Sequence, residues 1–410
     1  MLHRSFVRVP FRSHLTLLAP LLATIIAGAA PARAETIVVG PGDGSCPNAI
    51  FARIQSAIDI AVPGSTIAVC AGVYPEQLLV TKRVRLLASP GARLVPAALP
   101  LRTTSLRSGR SVAAAVIVRG PAIIEGLAID ASAHGITTCD GSEPLLAGVY
   151  VRGVAASVVG TRVTGTRIPG APSGCANGVG ILVHGGSGSA KIKIEGNSID
   201  AYQRAGIVVQ DSGVRAFVRE NVVRGDGDTG ERVQNGIEIG NGAAARVEDN
   251  VVTDNAGASG PACDLDAGIV LDAPRLRVRG NQLGDNAVGI RAGSRGHTIR
   301  DNFVVDGSGG LIGLDLAADE SRVSSNTLID LAAAGIRIGG NLSRLRGNVV
   351  TGIHGTPACD AAKTRPGCTA ALARCGTGLW LLGRANQVLA TLILDADVPV
   401  ADDGVANSVR

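Results

Sequence analysis

Rings are almost missing from this chain: aromatic residues make up 2% of its 410 positions, with one Trp, three Tyr and five Phe. A core must therefore be laid down in layers of Ala, Val, Ile and Leu, and a neutral glycan finds few faces on which to stack. Charged residues, at 18%, fall below the usual quarter. The 46% hydrophobic share excludes a disordered chain, which needs few aliphatics and a high net charge. No segment beyond the N-terminal leader holds 18 unbroken apolar residues, so no transmembrane segment is expected. No Cys-x-x-Cys pair and no His pair at ligand spacing is present, which argues against zinc. The eight cysteines then read as disulfide partners in an oxidising compartment.

The formal charge of +5 is misleading. Residues 1–34 hold Arg4, Arg8, Arg12 and Arg33 and no acid, and taking away those four charges leaves +1. A basic start, an apolar stretch from Leu15 to Ala30 and the small-residue exit Ala32-Arg33-Ala34 form the pattern of a secretory signal. The chain is expected to be exported, periplasmic or secreted, and nearly neutral once processed. Its global charge gives no case for a nucleic-acid partner.

Internal repetition dominates what is present. From about residue 110 a unit opens with Gly and an apolar residue, as in Gly148-Val149, Gly180-Ile181, Gly206-Ile207, Gly236-Ile237, Gly268-Ile269, Gly289-Ile290 and Gly335-Ile336. Most units carry a second marker: Asn197, Asn221, Asn250, Asn281, Asn302, Asn326 and Asn348, with Thr161 and Thr391 in the outer copies. Each unit reads as three short strands of alternating pattern. Strand a follows the Gly, strand b ends just before the Asn, and strand c follows it. One unit cannot bury its inner face alone, so units must stack, each strand pairing with its equivalent in the next coil. Asn at one corner of every coil can pass amide hydrogen bonds along such a stack.

On these markers the chain resembles the right-handed parallel β-helix proteins of the pectate-lyase type over essentially residues 36–400. The front end is similar too. Ile54-Gln55-Ser56-Ala57-Ile58-Asp59 leads into Pro63-Gly64-Ser65-Thr66-Ile67 and then Gly72-Val73-Tyr74-Pro75-Glu76. The resemblance implies a short N-terminal capping helix, with Ile54, Ala57, Ile58 and Ala61 as its apolar stripe, closing an otherwise open end. The expected fold is all-β: a single-stranded right-handed parallel β-helix of about ten coils and three parallel sheets. Residues 35–110 form the cap and first coils, 111–400 the repeats and 401–410 a C-terminal tail. The Gly-x-Tyr-x-Glu run reads as a turn.

Long insertions, at 130–147, 164–177, 224–235, 253–267 and 353–377, all fall between strand c of one coil and strand a of the next. They overhang one edge of strand a, and the resemblance makes that edge the wall of a substrate groove. Six cysteines lie in these loops. Cys139–Cys175 is expected to join neighbouring loops and Cys46–Cys70 to brace the capped end, while the pairing of Cys263, Cys359, Cys368 and Cys375 stays open. Counting outward along strand a gathers Tyr150, Arg152, His184, Gln210, Glu238 and Asp272 on successive coils. Glu238, Asp272 and His184 are the candidate acid, base and proton carrier, with both carboxylates expected to be exposed. Arg152, Gln210 and Tyr150 are the candidate substrate-binding residues. Arg291, Asp315 and Arg337 form a charge ladder in one column, with Arg337 beside Trp380. Asp264, Asp266 and Asp272 offer oxygens to calcium, though no loop spacing demands it, and no other cofactor is indicated.

Strand b carries its own pattern: Lys193, Arg219, Arg246, Arg277, Arg279, Arg300, Arg322, Arg344 and Arg346 point outward against Glu195 and Glu248. A basic stripe on a nearly neutral protein suits a polyanion. The motifs of catalytic families on this fold are absent. Polygalacturonases carry Asn-Thr-Asp, Asp-Asp, Gly-His-Gly and Arg-Ile-Lys in order, and the Asp-Pro-His-Asp of alginate epimerases is missing as well. Two function classes follow. One is an exported protein that binds an acidic polysaccharide and processes it as a lyase or hydrolase. The other is a non-catalytic β-helix with a binding or envelope-structural role.

Overall fold

A computed structural model of the protein describes residues 34–139, 141–170, 175–227, 234–256, 258–259, 264–306, 310–364, 368 and 372–410. The expected secretory leader (Ala34 apart) and Cys263 lie outside the described residues. From Ala34 onward the chain forms one compact unit. Strands a, b and c assemble into sheets of 13, 14 and 12 strands, parallel throughout apart from Thr103–Thr104, which returns antiparallel along Ser111–Val118. Three stacks joined coil by coil make a parallel β-helix.

The register shows why the repeat folds this way. On strand a one in-register column runs Val116, Val149, Ile181, Ile207, Ile237, Ile269, Ile290, Leu314, Ile336 and Leu379. Every member is fully buried. Aliphatic residues stack on their own kind at the spacing between strands, so no ring is needed to fill the barrel. From Val149 onward the opening Gly precedes each column residue because a Cβ there has no room: at Gly236 it would lie 2.2 Å from Val252 Cγ1 and 2.5 Å from the Gly268 carbonyl oxygen.

The asparagine row is continuous. The side-chain amide of each of Asn197, Asn221, Asn250, Asn281, Asn302 and Asn326 donates to the next residue's Oδ1 at 2.8–2.9 Å, ending at Asn348. Directly before each Asn the chain turns in the left-handed region, at Gly196, Glu220, Asp249, Gly280, Asp301, Ser325 and Gly347. That conformation costs energy in non-glycine residues. The buried amide ladder offsets this by satisfying the corner's backbone groups.

Helix α1 (Ile54–Ile60) closes the N-terminal end with Ile54, Ala57 and Ile58 buried. Its first N–H groups have no capping side chain from Arg53. Instead the buried Glu76 carboxylate accepts from Ile54 N at 2.7 Å and Gln55 N at 2.9 Å, placing negative charge at the helix start. Tyr74 is buried and donates to the Cys70 carbonyl at 2.8 Å. The Tyr74-Pro75-Glu76 run is thus part of the cap.

The stack differs from its sequence-based expectation at both ends. It is longer than ten coils, because the first strands (Thr36–Val39, Thr66–Val69, Val84–Ala88) lack the Gly and Asn markers yet pair in register. Residues 401–410 are structured: Val398–Asp402 completes the strand-a sheet and Ser408–Val409 the strand-b sheet. A second helix, α2 (Pro357–Lys363), forms inside the 353–377 insertion, started by Thr356 and Pro357. Its Cys359 and Ala362, with Cys368 and Leu372, cover Leu311, Ile312 and Ala332–Ala334 on the outer side of strand a. Cys46–Cys70 and Cys139–Cys175 are bonded as expected, Cys359 pairs with Cys375, and Cys368 is also disulfide-bonded.

Candidate functional site

Strand a brings the candidate residues onto neighbouring coils. Arg152, His184, Gln210 and Gly240 form one in-register column, and Tyr150, Leu182, Val208 and Glu238 another. Their exposure, however, is unequal. Tyr150, His184 and Glu238 keep 0%, 3% and 8% of their surface, Arg152 and Gln210 are half-buried, and Asp272 is exposed.

The cover over His184 comes from far away in sequence. The segment after Thr104 lies across strand a and brings Ser105 Oγ to 3.1 Å from His184 Nδ1, while the Tyr150 hydroxyl stands 3.3 Å from the same nitrogen. Leu106 N donates to the Tyr150 hydroxyl at 3.4 Å, and Arg152 Nε donates to the Thr104 carbonyl at 2.8 Å. The Tyr150 and His184 rings meet edge to face, 5.5 Å apart. Desolvation pushes the His184 pKa down to about 4 and the Tyr150 pKa up to about 12. Both rings are uncharged at neutral pH, so His184 does not titrate near pH 7 as its position on the strand suggested.

Glu238 is engaged as well. Its Oε2 pairs with Arg204 Nη2 at 2.5 Å, and its Oε1 accepts from Asn235 Nδ2 at 2.9 Å. The expectation that Glu238 is exposed is therefore corrected: the residue is buried in an ion pair with Arg204. Asp272 alone of the two carboxylates faces solvent. Its pKa is raised, first by partial desolvation and then by the Glu238 charge, while Arg291 opposes the shift. Its carboxylate lies across the next coil, where a Cβ on Gly293 would come within 2.8 Å of Asp272 Oδ1. Ser105, Arg204 and Asn235 were not singled out from the sequence. Arg204 had a readable signal, since it precedes strand a by one position on the coil before Glu238.

The remaining strand-a residues are structural. Arg337 forks onto Asp315 with Nε–Oδ1 2.8 Å and Nη2–Oδ2 2.6 Å. Arg291 donates to the Leu265 carbonyl at 2.8 Å, and the Trp380 indole N–H to Asp403 at 2.9 Å. A calcium site built from Asp264, Asp266 and Asp272 does not form. Asp266 precedes and Asp272 follows the strand Ala267–Leu271, which holds them roughly 20 Å apart at strand rise. Among the described residues no cluster of three His, Cys, Asp or Glu is arranged for a metal ion.

Strand b presents a different surface. Lys193 and Arg219 are paired to Glu195, Arg279 and Arg300 to Asp301, and Arg246 rests over the Phe217 ring at 5.6 Å. Arg277, Arg322 and Arg344, with Arg275 at the preceding corner, line a cleft of about 560 Å³. Among the described residues no acidic side chain forms an ion pair with these four guanidinium groups, although Glu320 also lines the cleft.

A family model described as "Right handed beta helix region" matches residues 122–312 and 179–389. No curated protein sequence shows significant similarity. Among solved structures, the Azotobacter vinelandii mannuronan C-5 epimerase AlgE4 A-module is similar over 87% of this chain and 94% of its own, with a TM-score of 0.58 at 14% identity. The GH136 lacto-N-biosidase from Eubacterium ramulus is similar over 92% of this chain and 68% of its own (TM-score 0.56, 12% identity). The Yersinia enterocolitica family 28 exopolygalacturonase aligns over 92% and 79% (TM-score 0.50, 12% identity). At these identities the likeness is one of fold.

Proposed function

The chain belongs to the right-handed β-helix family, and from that premise we propose that it is an exported protein that binds an acidic polysaccharide. The observation that carries this reading is the set of guanidinium groups on strand b that lack carboxylate partners. Arginine forks suit planar carboxylates, and four arginines against the one carboxylate of Glu320 give the cleft a net positive charge that concentrates a polyanion locally. The scarcity of rings argues against a neutral glycan, which needs stacking faces. Three disulfides among the described residues accord with an oxidising location.

Binding is measured by calorimetry against polygalacturonate, alginate, a glycosaminoglycan and a neutral glucan at low and high salt. The reading expects binding to acidic chains only, weakening as salt rises. Equal affinity for the neutral glucan, or no binding to any polyanion, overturns it.

A second reading, turnover on strand a, is favoured by one observation: Asp272 is an exposed carboxylate of raised pKa beside the Arg291 cation. A raised pKa suits a general acid. Lyase action on a polyuronate appears as ultraviolet absorbance and hydrolysis as new reducing ends. Turnover that survives Asp272→Asn places the chemistry elsewhere.

A further inference from the structure

The arginine cleft does not lie on strand a, where the long loops stand. It lies at the short corner between strands a and b, where the backbone has a regular form. Arg275, Gly296, Glu320, Leu342 and Ala385 occupy this corner on consecutive coils, each with a left-handed φ between 53° and 78°. The backbone N–H groups of Arg275, Gly296, Glu320 and Leu342 donate to carbonyls of the following coil at 2.8–3.0 Å, which locks the corners into a rigid row. Two residues further on, the outward side chains of strand b form a parallel row in strict register: Arg277, Thr298, Arg322, Arg344, Gln387. The cleft runs between these two rows and touches all five coils.

Its dimensions select the shape of an occupant. Five coils are separated by four inter-strand spacings, so the cleft is roughly 19 Å long. Its volume of about 560 Å³ is drawn out along the stack axis, the shape of an elongated occupant. Its walls supply charge at intervals of one or two coils: Arg275 and Arg277 at one end, then Arg322, then Arg344. Thr298 and Glu320 lie between them as partners for hydroxyl groups. Leu342, Ala385 and Gly296 provide small or apolar surface, and no ring is present.

We infer that this corner cleft is an axial binding groove for a linear acidic glycan, which lies parallel to the β-helix axis with about one sugar per coil and its carboxylates on the arginines. The inference rests on the polyanion reading above and adds the site, the direction of the chain and the length recognised. It is separate from the loop-walled strand-a face, and the two make opposite demands on the same ligand. A strand-a ligand meets Asp272 and the covering loops. A corner ligand meets four arginines, with the polar side chains of Thr298, Glu320 and Gln387 among them. With no stacking faces, recognition here is by charge-assisted hydrogen bonds, so it depends on guanidinium geometry and not on charge alone.

The test is calorimetric titration of purified full-length protein with galacturonate oligomers from dimer to octamer. It is repeated for Arg322→Gln with Arg344→Gln, for Arg322→Lys with Arg344→Lys, and for Arg162→Gln on strand c as the control. All substituted positions are exposed, so the melting temperature should stay near wild type. We expect affinity to rise with length and level off at about four to five sugars, given four inter-strand spacings over five coils. The double Gln variant should lose at least about tenfold, and the double Lys variant should recover only part, since it restores charge without the fork. The control should bind as wild type. If the wild type binds polygalacturonate and the double Gln variant binds it equally well, the groove assignment fails while the polyanion reading stands. If the wild type binds no acidic glycan, that reading itself fails.

Discussion

Replacing Asn281 by alanine probes the corner that holds the coils in register. The side chain is fully buried. Its amide donates to the Val247 carbonyl at 3.0 Å, to the Arg279 carbonyl at 3.1 Å and to Asn302 Oδ1 at 2.9 Å. Its oxygen accepts from the Asn250 backbone N–H at 3.0 Å and from Asn250 Nδ2 at 2.9 Å. Alanine removes all five. Asn250 Nδ2 keeps the Val218 and Glu248 carbonyls, and Asn302 Oδ1 keeps the Asn281 backbone N–H. The Asn250 backbone N–H keeps nothing comparable and stays buried. A stranded donor costs about 1–3 kcal/mol and each lost but replaceable bond about 1 kcal/mol or less, for a total of roughly 3–5 kcal/mol. Asn348→Ala is the internal comparison. Its side chain accepts from Asn326 N and Nδ2 and donates to Val323, so it removes fewer bonds and should cost less. Urea unfolding with the disulfides intact gives the cost, and native-state hydrogen exchange at the Asn250 amide gives its location, since a repeat stack can open locally. A loss below about 1 kcal/mol, with exchange at Asn250 unchanged, would refute the claim that the ladder satisfies this corner.

Acid should loosen the fold before it protonates most carboxylates. Desolvation lowers the pKa values of His184 and of the fully buried His297 to about 4. Both rings are favoured neutral in the folded state, so their contribution is complete above the unfolded value near 6.5 and is lost as pH falls from there towards 4. The ceiling is about 3 kcal/mol for each ring. Urea midpoints measured between pH 7 and 4 should fall, and His184→Gln should flatten the curve; a flat wild-type profile contradicts the assignment. Glu238→Ala should lower the melting temperature, in contrast to its sequence-based expectation as an exposed group, because it strands Arg204 in a partly buried position. The cost is roughly 1–3 kcal/mol, and removing Arg204 as well should restore part of it. An unchanged melting temperature for Glu238→Ala would mean that the pair contributes nothing.

The coil, its three strands and the asparagine corner are local and repetitive, and they were legible in the sequence for that reason. Gly236-Ile237 and Asn250 recur at fixed phase because each coil must present the same groups to the next, so one-dimensional spacing records a three-dimensional contact. The outer coils were undercounted where that record stops: Thr36–Val39 and Ser408–Val409 pair as strands without either marker. Alternation also put Tyr150, His184, Glu238 and Asp272 on the outward side of strand a; in the structure Tyr150, His184 and Glu238 lie in register on that sheet, and Asp272 stands just past the end of its strand. What lies over them was a different matter. Ser105 meets His184 across 79 residues, and the arginine facing Glu238 stands 34 residues before it. A period of two states which side of a sheet a residue takes, but it holds no information on which loop returns to cover that side. Burial, and with it the protonation state of His184 and the solvent access of Glu238, is a property of the covering segment and its path. The sequence by itself therefore determined the architecture, because stacking is nearest-neighbour physics. Only the tertiary structure decided which polar residues remain free to meet a ligand.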